Sequence, residues 1–182
     1  ENRVKSNNAS NTGTGIYLGA ADRNKIWENN LSENNFGIHL VFDSSLNTIA
    51  ENDVSDSSNA GIRVNDGSGN RIQGNSIHSN AGLGIDLGTD WTVTFNDPGD
   101  LDAGPNNLQN FPVLSKASTN GTSITIEGSL NSAPDTTYRV EFFASPACDT
   151  WGAGEGARFL GFTDVTTDGT GNATFSKALS HG

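Results

Sequence analysis

Four residues able to move or stabilise protons occupy matching places in four similar phrases: Tyr17 in GIYL, His39 in GIHL, Arg63 in GIRV and Asp86 in GIDL. A phenol, an imidazole, a guanidinium and a carboxylate in one row offer an acid, a base and a cation for proton transfer beside a developing anion. A second set, Asp97, Asp100 and Asp102 in NDPGDLDAG, gathers carboxylates of the kind that suit calcium, which takes about six to eight oxygen ligands. The order of these acids departs from the D-x-D-x-D-G and distant Glu of an EF-hand loop, so a solvated acidic linker is the competing view. For the first row the competing view is an ordinary wet strand face on which Arg63 and Asp86 form a cross-strand ion pair.

The elements that must position these residues come from a repeat. NRVKSNNASNTGTGIYL, NKIWENNLSENNFGIHL, NTIAENDVSDSSNAGIRV and NRIQGNSIHSNAGLGIDL share one frame. Its first asparagine recurs at Asn2, Asn24, Asn47 and Asn70, a second at Asn7, Asn29, Asn52 and Asn75, and a glycine at Gly15, Gly37, Gly61 and Gly84. Four apolar columns run through it: Val4, Ile26, Ile49, Ile72; Ala9, Leu31, Val54, Ile77; Ile16, Ile38, Ile62, Ile85; and Leu18, Leu40, Val64, Leu87. All but Ala9 are Val, Ile or Leu, and in GI-x-L they alternate with a variable residue, which is strand periodicity with one face buried. A leucine-rich helical unit has a comparable period but needs a helical half that these Asn-, Gly- and Ser-rich stretches lack. Three short strands per period, stacked at the ~4.8 Å spacing of paired strands, predict a solenoid of about four coils in which the variable position faces solvent. Asparagine suits its corners, because it tolerates left-handed backbone and its amide can bond to the same amide of the next coil; Asn7, Asn29, Asn52 and Asn75 form one such expected ladder.

Composition narrows the function classes. The chain of 182 residues carries a formal net charge of −11, which repels nucleic acid over most of the surface. No apolar run approaches the ~20 residues of a membrane-spanning helix. Cys148 is the one cysteine, which excludes an intrachain disulfide and, with no nearby His, gives no nucleophile. The absence of methionine and the start at Glu1 suggest a piece of something longer. His78 is expected on the outside beside Ile77, and His181 near an end, and the three histidines have no metal-ligand spacing. Trp27 and Phe36 could stack on a sugar, although packing at a coil corner is the commoner use of such rings. The N-x-S/T triplets at Asn8, Asn30, Asn120 and Asn172 have meaning only in a secretory eukaryotic context.

After Leu87 the register is lost. Trp91, Val93 and Phe95 alternate with polar residues and are expected to form a cap or final strand over the bare end of the stack, with 96–107 a linker or ordered loop. From Pro112 longer alternating stretches, SITIEGSL, TYRVEFFAS, RFLGFTDVTT and NATFSKAL among them, predict a small antiparallel β-sandwich. The expected organisation is all-β: a parallel β-helix over 1–95, a capping segment over 96–110 and a sandwich, too short for seven full strands, over 111–182.

The N-x-I-x-x-N-x-I…GI-x-L phrases resemble the right-handed parallel β-helix repeats of the pectate-lyase-like superfamily, which holds polysaccharide lyases, epimerases, hydrolases and noncatalytic surface proteins. The resemblance covers about half the chain. The later stretch resembles an immunoglobulin-like module that follows β-helices in large secreted bacterial proteins. The resemblance implies either a noncatalytic extracellular or cell-surface module, structural or glycan-interacting, or a fragment of a lyase or epimerase acting on uronate polymers. In the second case His39 or Arg63 would be the base and Tyr17 the acid, although neither the acidic calcium cluster of pectate lyases nor the paired aspartates of related hydrolases is recognisable. No cofactor is required, a structural calcium ion is the candidate metal, and self-association through exposed β edges is expected of truncated ends.

Overall fold

The computed structural model describes residues 2–147 and 152–180. Twelve short strands wind into four coils of three: β1 Arg3–Lys5, β2 Asn8–Ser10 and β3 Thr14–Gly19; β4 Lys25–Trp27, β5 Asn30–Ser32 and β6 Phe36–Val41; β7 Thr48–Ala50, β8 Asp53–Ser55 and β9 Ile62–Val64; β10 Arg71–Gln73, β11 Ser76–His78 and β12 Ile85–Leu87. Like strands pair in parallel to give three sheets, β1-β4-β7-β10, β2-β5-β8-β11 and β3-β6-β9-β12. Their registers align Val4 with Ile26 and Ile49, Ala9 with Leu31 and Val54, and Ile38 with Ile16 and Ile62. The aliphatic columns thereby stack into one core of Leu18, Ile26, Leu31, Ile38, Leu40, Ile49, Val54, Ile62, Val64 and Ile77. Ile85, the last member of its column, is 44% exposed, because no coil follows to cover it.

The corners are built differently from the expectation for asparagine. Left-handed backbone falls on the residue before each ladder position: Ser6, Glu28 and Glu51 precede Asn7, Asn29 and Asn52, while Arg23 and Leu46 precede Asn24 and Asn47, all with φ between 55° and 60°. Each such kink costs about 1 kcal/mol or more for a residue other than glycine. The asparagine that follows, exposed at Asn7 in the first coil and buried at Asn24, Asn29, Asn47 and Asn52, repays the strain with its amide. In the second column the backbone N–H and Nδ2 of Asn7 donate to Asn29 Oδ1 at 3.0 and 3.1 Å, those of Asn29 to Asn52 Oδ1 at 3.1 and 2.9 Å, and those of Asn52 to Asn75 Oδ1 at 3.0 and 2.9 Å. The first column, Asn2 to Asn70, is bonded in the same way. A third runs through Thr12 and Asn34 and through Ser57 and Asn80, a spacing present in the sequence but masked by its mixed residue types.

The glycine column answers to space. A Cβ on Gly15 would lie 2.7 Å from the Gly37 carbonyl oxygen, one on Gly37 2.7 Å from that of Gly61, and one on Gly61 2.8 Å from that of Gly84.

Past β12 no strand forms over 91–95 and Phe95 is 83% exposed, so Phe95 takes no part in a cap, whereas Val93 is half-buried and Thr94 Oγ1 donates to the Leu87 carbonyl at 3.2 Å. The amide ladders are extended by distant residues. Asn106 Oδ1 accepts the Asn70 N–H at 2.7 Å and its Nδ2 returns a bond to Asn70 O at 2.9 Å, while Glu155 Oε1 accepts from Asn80 Nδ2 at 2.8 Å. The chain accordingly groups into two compact units: 1–94 with 103–108 and 143–159, and 95–102 with 109–142 and 160–182.

The second unit contains β13 Val113–Thr119, β14 Ser123–Asn131, β15 Thr137–Ala144, β16 Arg158–Thr166 and β17 Asn172–Ser180, whose outer turn ends belong in part to the first. β13-β14-β17 form one antiparallel sheet and β15-β16 another. Both contribute to a single core of Ile126, Leu130, Val140, Phe142, Val165, Phe175 and Leu179.

Candidate functional site

The register places Tyr17 beside His39, His39 beside Arg63 and Arg63 beside Asp86 on β3, β6, β9 and β12. The row does not face solvent throughout. Tyr17 is 55% exposed and His39 half-buried, but Arg63 and Asp86 are each 2% exposed. Two aromatic rings that the repeat does not single out account for the difference. Trp91, on the irregular segment after β12, lays its ring 3.4 Å from the Arg63 guanidinium carbon, and Phe36 lies 5.6 Å from the same carbon. Phe36 and Trp91 are themselves stacked, with centroids 5.7 Å apart.

Under this cover Arg63 Nε reaches Asp86 Oδ2 at 3.3 Å and donates to the Gly88 carbonyl at 3.2 Å. The pair is the cross-strand ion pair of the structural view, made inaccessible. Burial pushes the Asp86 carboxyl above its ordinary pKa, Arg63 works against that shift and Asp90 adds to it. Asp86 Oδ1 is buried with no hydrogen-bond partner.

His39 sits against Phe36 with centroids 4.6 Å apart and edge-on to Tyr17 at 6.0 Å. Burial holds its pKa below the ordinary value, the Asn65 side chain opposes that and the charge of Arg63 assists it. Asn65 lies close without completing a bond, since His39 Nε2 and Asn65 Oδ1 are both buried and unpartnered. Tyr17, His39, Phe36, Trp91 and Arg63 thus make an aromatic strip along one flank, with a cation locked inside.

A family profile described as a right-handed β-helix region matches residues 1–98. The chain belongs to the right-handed β-helix family. No curated protein matches it. In this β-helix protein the shared fold accounts for the coils and their ladders, and leaves the flank to be judged on its own chemistry.

Beside the strip an open pocket of about 340 Å³ is lined by Ser58, Asn59, Ala60, Leu83, Asp86 and Trp91 together with Ala81 and Gly82. Its size falls at the low end of ligand sites, roughly 300–1,000 Å³. The other ring candidates take structural places: Phe36 is buried, and Trp27 is half-buried with Lys5 Nζ 5.6 Å from its ring centroid. His78 is half-buried and meets Asp53 Oδ1 at 3.2 Å. Cys148 and His181 lie outside the described residues.

In the second unit Asp97, Asp100 and Asp102 each bring one carboxylate oxygen within 4.8 Å of the others. Asp100 is already occupied: Oδ1 accepts the Asn110 N–H at 2.8 Å, and Oδ2 accepts from Ser132 Oγ at 2.6 Å and Gln109 Nε2 at 3.1 Å. Asp97 Oδ2 accepts the Leu101 N–H at 3.0 Å. That leaves Asp97 Oδ1 and Asp102 Oδ1 as buried oxygens without partners, few against the roughly six to eight that calcium takes. Burial, then Asp97, then Asp100 raise the Asp102 pKa. The segment is an ordered loop, since Asn96 and Phe111 also exchange bonds of 2.8 and 2.9 Å.

Proposed function

We propose that this is a noncatalytic module of a larger extracellular or cell-surface bacterial protein, in which the β-helix is a scaffold and its aromatic flank meets a glycan. One observation carries the proposal. Arg63, the cation that carboxylate-stabilising chemistry would need, is covered by Trp91, flanked by Phe36 and paired with Asp86, so it cannot reach a bound uronate without breaking a buried ion pair. Breaking such a pair costs about 3–5 kcal/mol, which a substrate carboxylate in a chain of net charge −11 would have to supply. Exposed or half-exposed rings such as Tyr17 and Trp91 remain free to stack on sugar faces.

The rival, a lyase or epimerase fragment, draws support from His39, whose lowered pKa keeps its imidazole neutral and so able to accept a proton. The two are separated by following unsaturated-sugar absorbance on pectate, alginate and hyaluronan, with and without calcium. No product is expected; turnover that disappears in His39→Ala would overturn the proposal in favour of the enzyme.

A further inference from the structure

We infer that the pocket beside Trp91 is a subsite for an N-acetylhexosamine unit, in which Asp86 accepts the acetamido N–H, the methyl group enters the recess of Ala60, Ala81 and Leu83, and the sugar ring lies against Trp91. The inference rests on the glycan-binding proposal above and specifies its ligand.

Three features of the pocket select that chemistry. The first is the orphaned acceptor. Asp86 is 2% exposed, one of its oxygens is taken by Arg63, and the other, Oδ1, has no donor. An acceptor left unpaired in a buried place is destabilising, so a ligand that brings a donor recovers that cost on binding. Oδ1 is also closed to water, so in this proposal the ligand meets it only as the indole of Trp91, 48% exposed on irregular backbone, shifts outward while Arg63 stays paired with Asp86 Oδ2.

The second feature is charge. Arg63 already neutralises Asp86, and the exposed Asp90 carboxylate, which accepts the Thr92 N–H at 3.3 Å, adds another negative charge nearby. A uronate is repelled, while an ammonium ion would meet Arg63. A neutral donor satisfies both neighbours, and an amide N–H is such a donor.

The third is shape. Ala60 and Leu83 are buried apolar residues at 3% and 6% exposure, and Ala81 and Gly82 add no polar side chain. Ser58 and Asn59 supply hydroxyl and amide groups at the same pocket for ring hydroxyls. A small apolar recess next to a carboxylate acceptor and an indole face matches methyl, N–H and pyranose ring in turn. A plain hexose fills only the last.

The test compares four tetrasaccharides by isothermal titration calorimetry on the full chain: N-acetylglucosamine tetramer, its de-N-acetylated counterpart, cellotetraose and tetragalacturonate. The N-acetylated ligand is expected to bind at least about ten-fold more tightly than cellotetraose, the worth of one buried hydrogen bond. Trp91→Ala and the rim variant Ala81→Glu, which leaves the ion pair intact, are each expected to weaken it about ten-fold, with unchanged circular dichroism. Equal affinity for cellotetraose and the N-acetylated tetramer, or binding untouched by both variants, would overturn the subsite while leaving glycan binding standing. No heat with any of the four would overturn the glycan proposal itself, and the subsite with it.

Discussion

The two units bury polar groups in opposite ways. Inside the β-helix, eight asparagines from Asn24 to Asn80 are between 1% and 8% exposed; six of them, Asn24, Asn29, Asn47, Asn52, Asn70 and Asn75, answer one another from coil to coil, while Asn34 and Asn80 answer Thr12 and Ser57. In the antiparallel unit the buried polar side chains are Asn110, Ser132 and Thr167, and the rest of the core is aliphatic and aromatic. The difference lies in repetition. A coil that recurs every 22 to 24 residues brings a copy of any buried amide to hydrogen-bonding distance of the next, so each donor finds its acceptor without a specially evolved partner. An antiparallel sheet has no such translation. Its polar burial is met by local partners: Asp100 and Asn110 tie the loop to Ser132 and Asn131, and Thr167 Oγ1 donates to the Ala133 carbonyl at 2.7 Å.

The contrast is broken most severely at Asn52. Its Oδ1 accepts two bonds from Asn29, and its own Nδ2 serves Asn75 and the Ile26 carbonyl. Asn52→Leu keeps the volume and strands those groups in a dry interior, so a loss on the order of 3–5 kcal/mol is expected in denaturant unfolding. A loss below about 1 kcal/mol would mean that the ladders contribute little and that the aliphatic columns alone hold the coils.

Gly37 tests the same translation through space instead of bonding. Because its Cβ would meet the Gly61 carbonyl at 2.7 Å, Gly37→Ala must push two coils apart, and about 2–3 kcal/mol of destabilisation is expected, read again from unfolding. In the other unit Asp100→Ala removes the acceptor for three donors at one place. About 2 kcal/mol is expected, with amide exchange quickened at Asn110 and unchanged at Asn29 and Asn52.

How far each feature was legible in the sequence follows from the same contrast. The aliphatic columns and the asparagines show in a self-comparison because their partners lie one period away, and the register bears out Ile26 beside Ile49 and Asn7 beside Asn29. What no periodicity could reveal are partners off the repeat. Glu155 meets Asn80 across 75 positions, and Trp91 covers Arg63 from an irregular segment, which turns a row expected to be wet into one with two members buried. Ile85 fails for a related reason, since a periodic pattern predicts burial for every member and the last has no successor. The corner residues were legible in principle: Glu28, Glu51 and Gly74 occupy one column, but Glu is no signature of left-handed backbone, and only the glycine hints at it.

The smallest effect sharpens the comparison by pH. Among the described residues both histidines, His39 and His78, lie in the β-helix, so a loss of stability linked to either belongs to that unit. His39 has a folded pKa below the ordinary 6.5 because burial and Arg63 disfavour its charged form more than Asn65 favours it. As pH falls past about 6.5 the unfolded chain takes up the proton first and the folded chain only later. The contribution of His39 is therefore fully present above 6.5 and is lost as pH drops towards and through the depressed folded value. His39→Gln carries no titrating group, and its melting temperature should fall less than the parent's between pH 7.5 and pH 5, with the two curves parallel above pH 7.5. Curves parallel over the whole range would place His39 in contact with water in the folded chain, and would return the row to the wet strand face that its sequence first suggests.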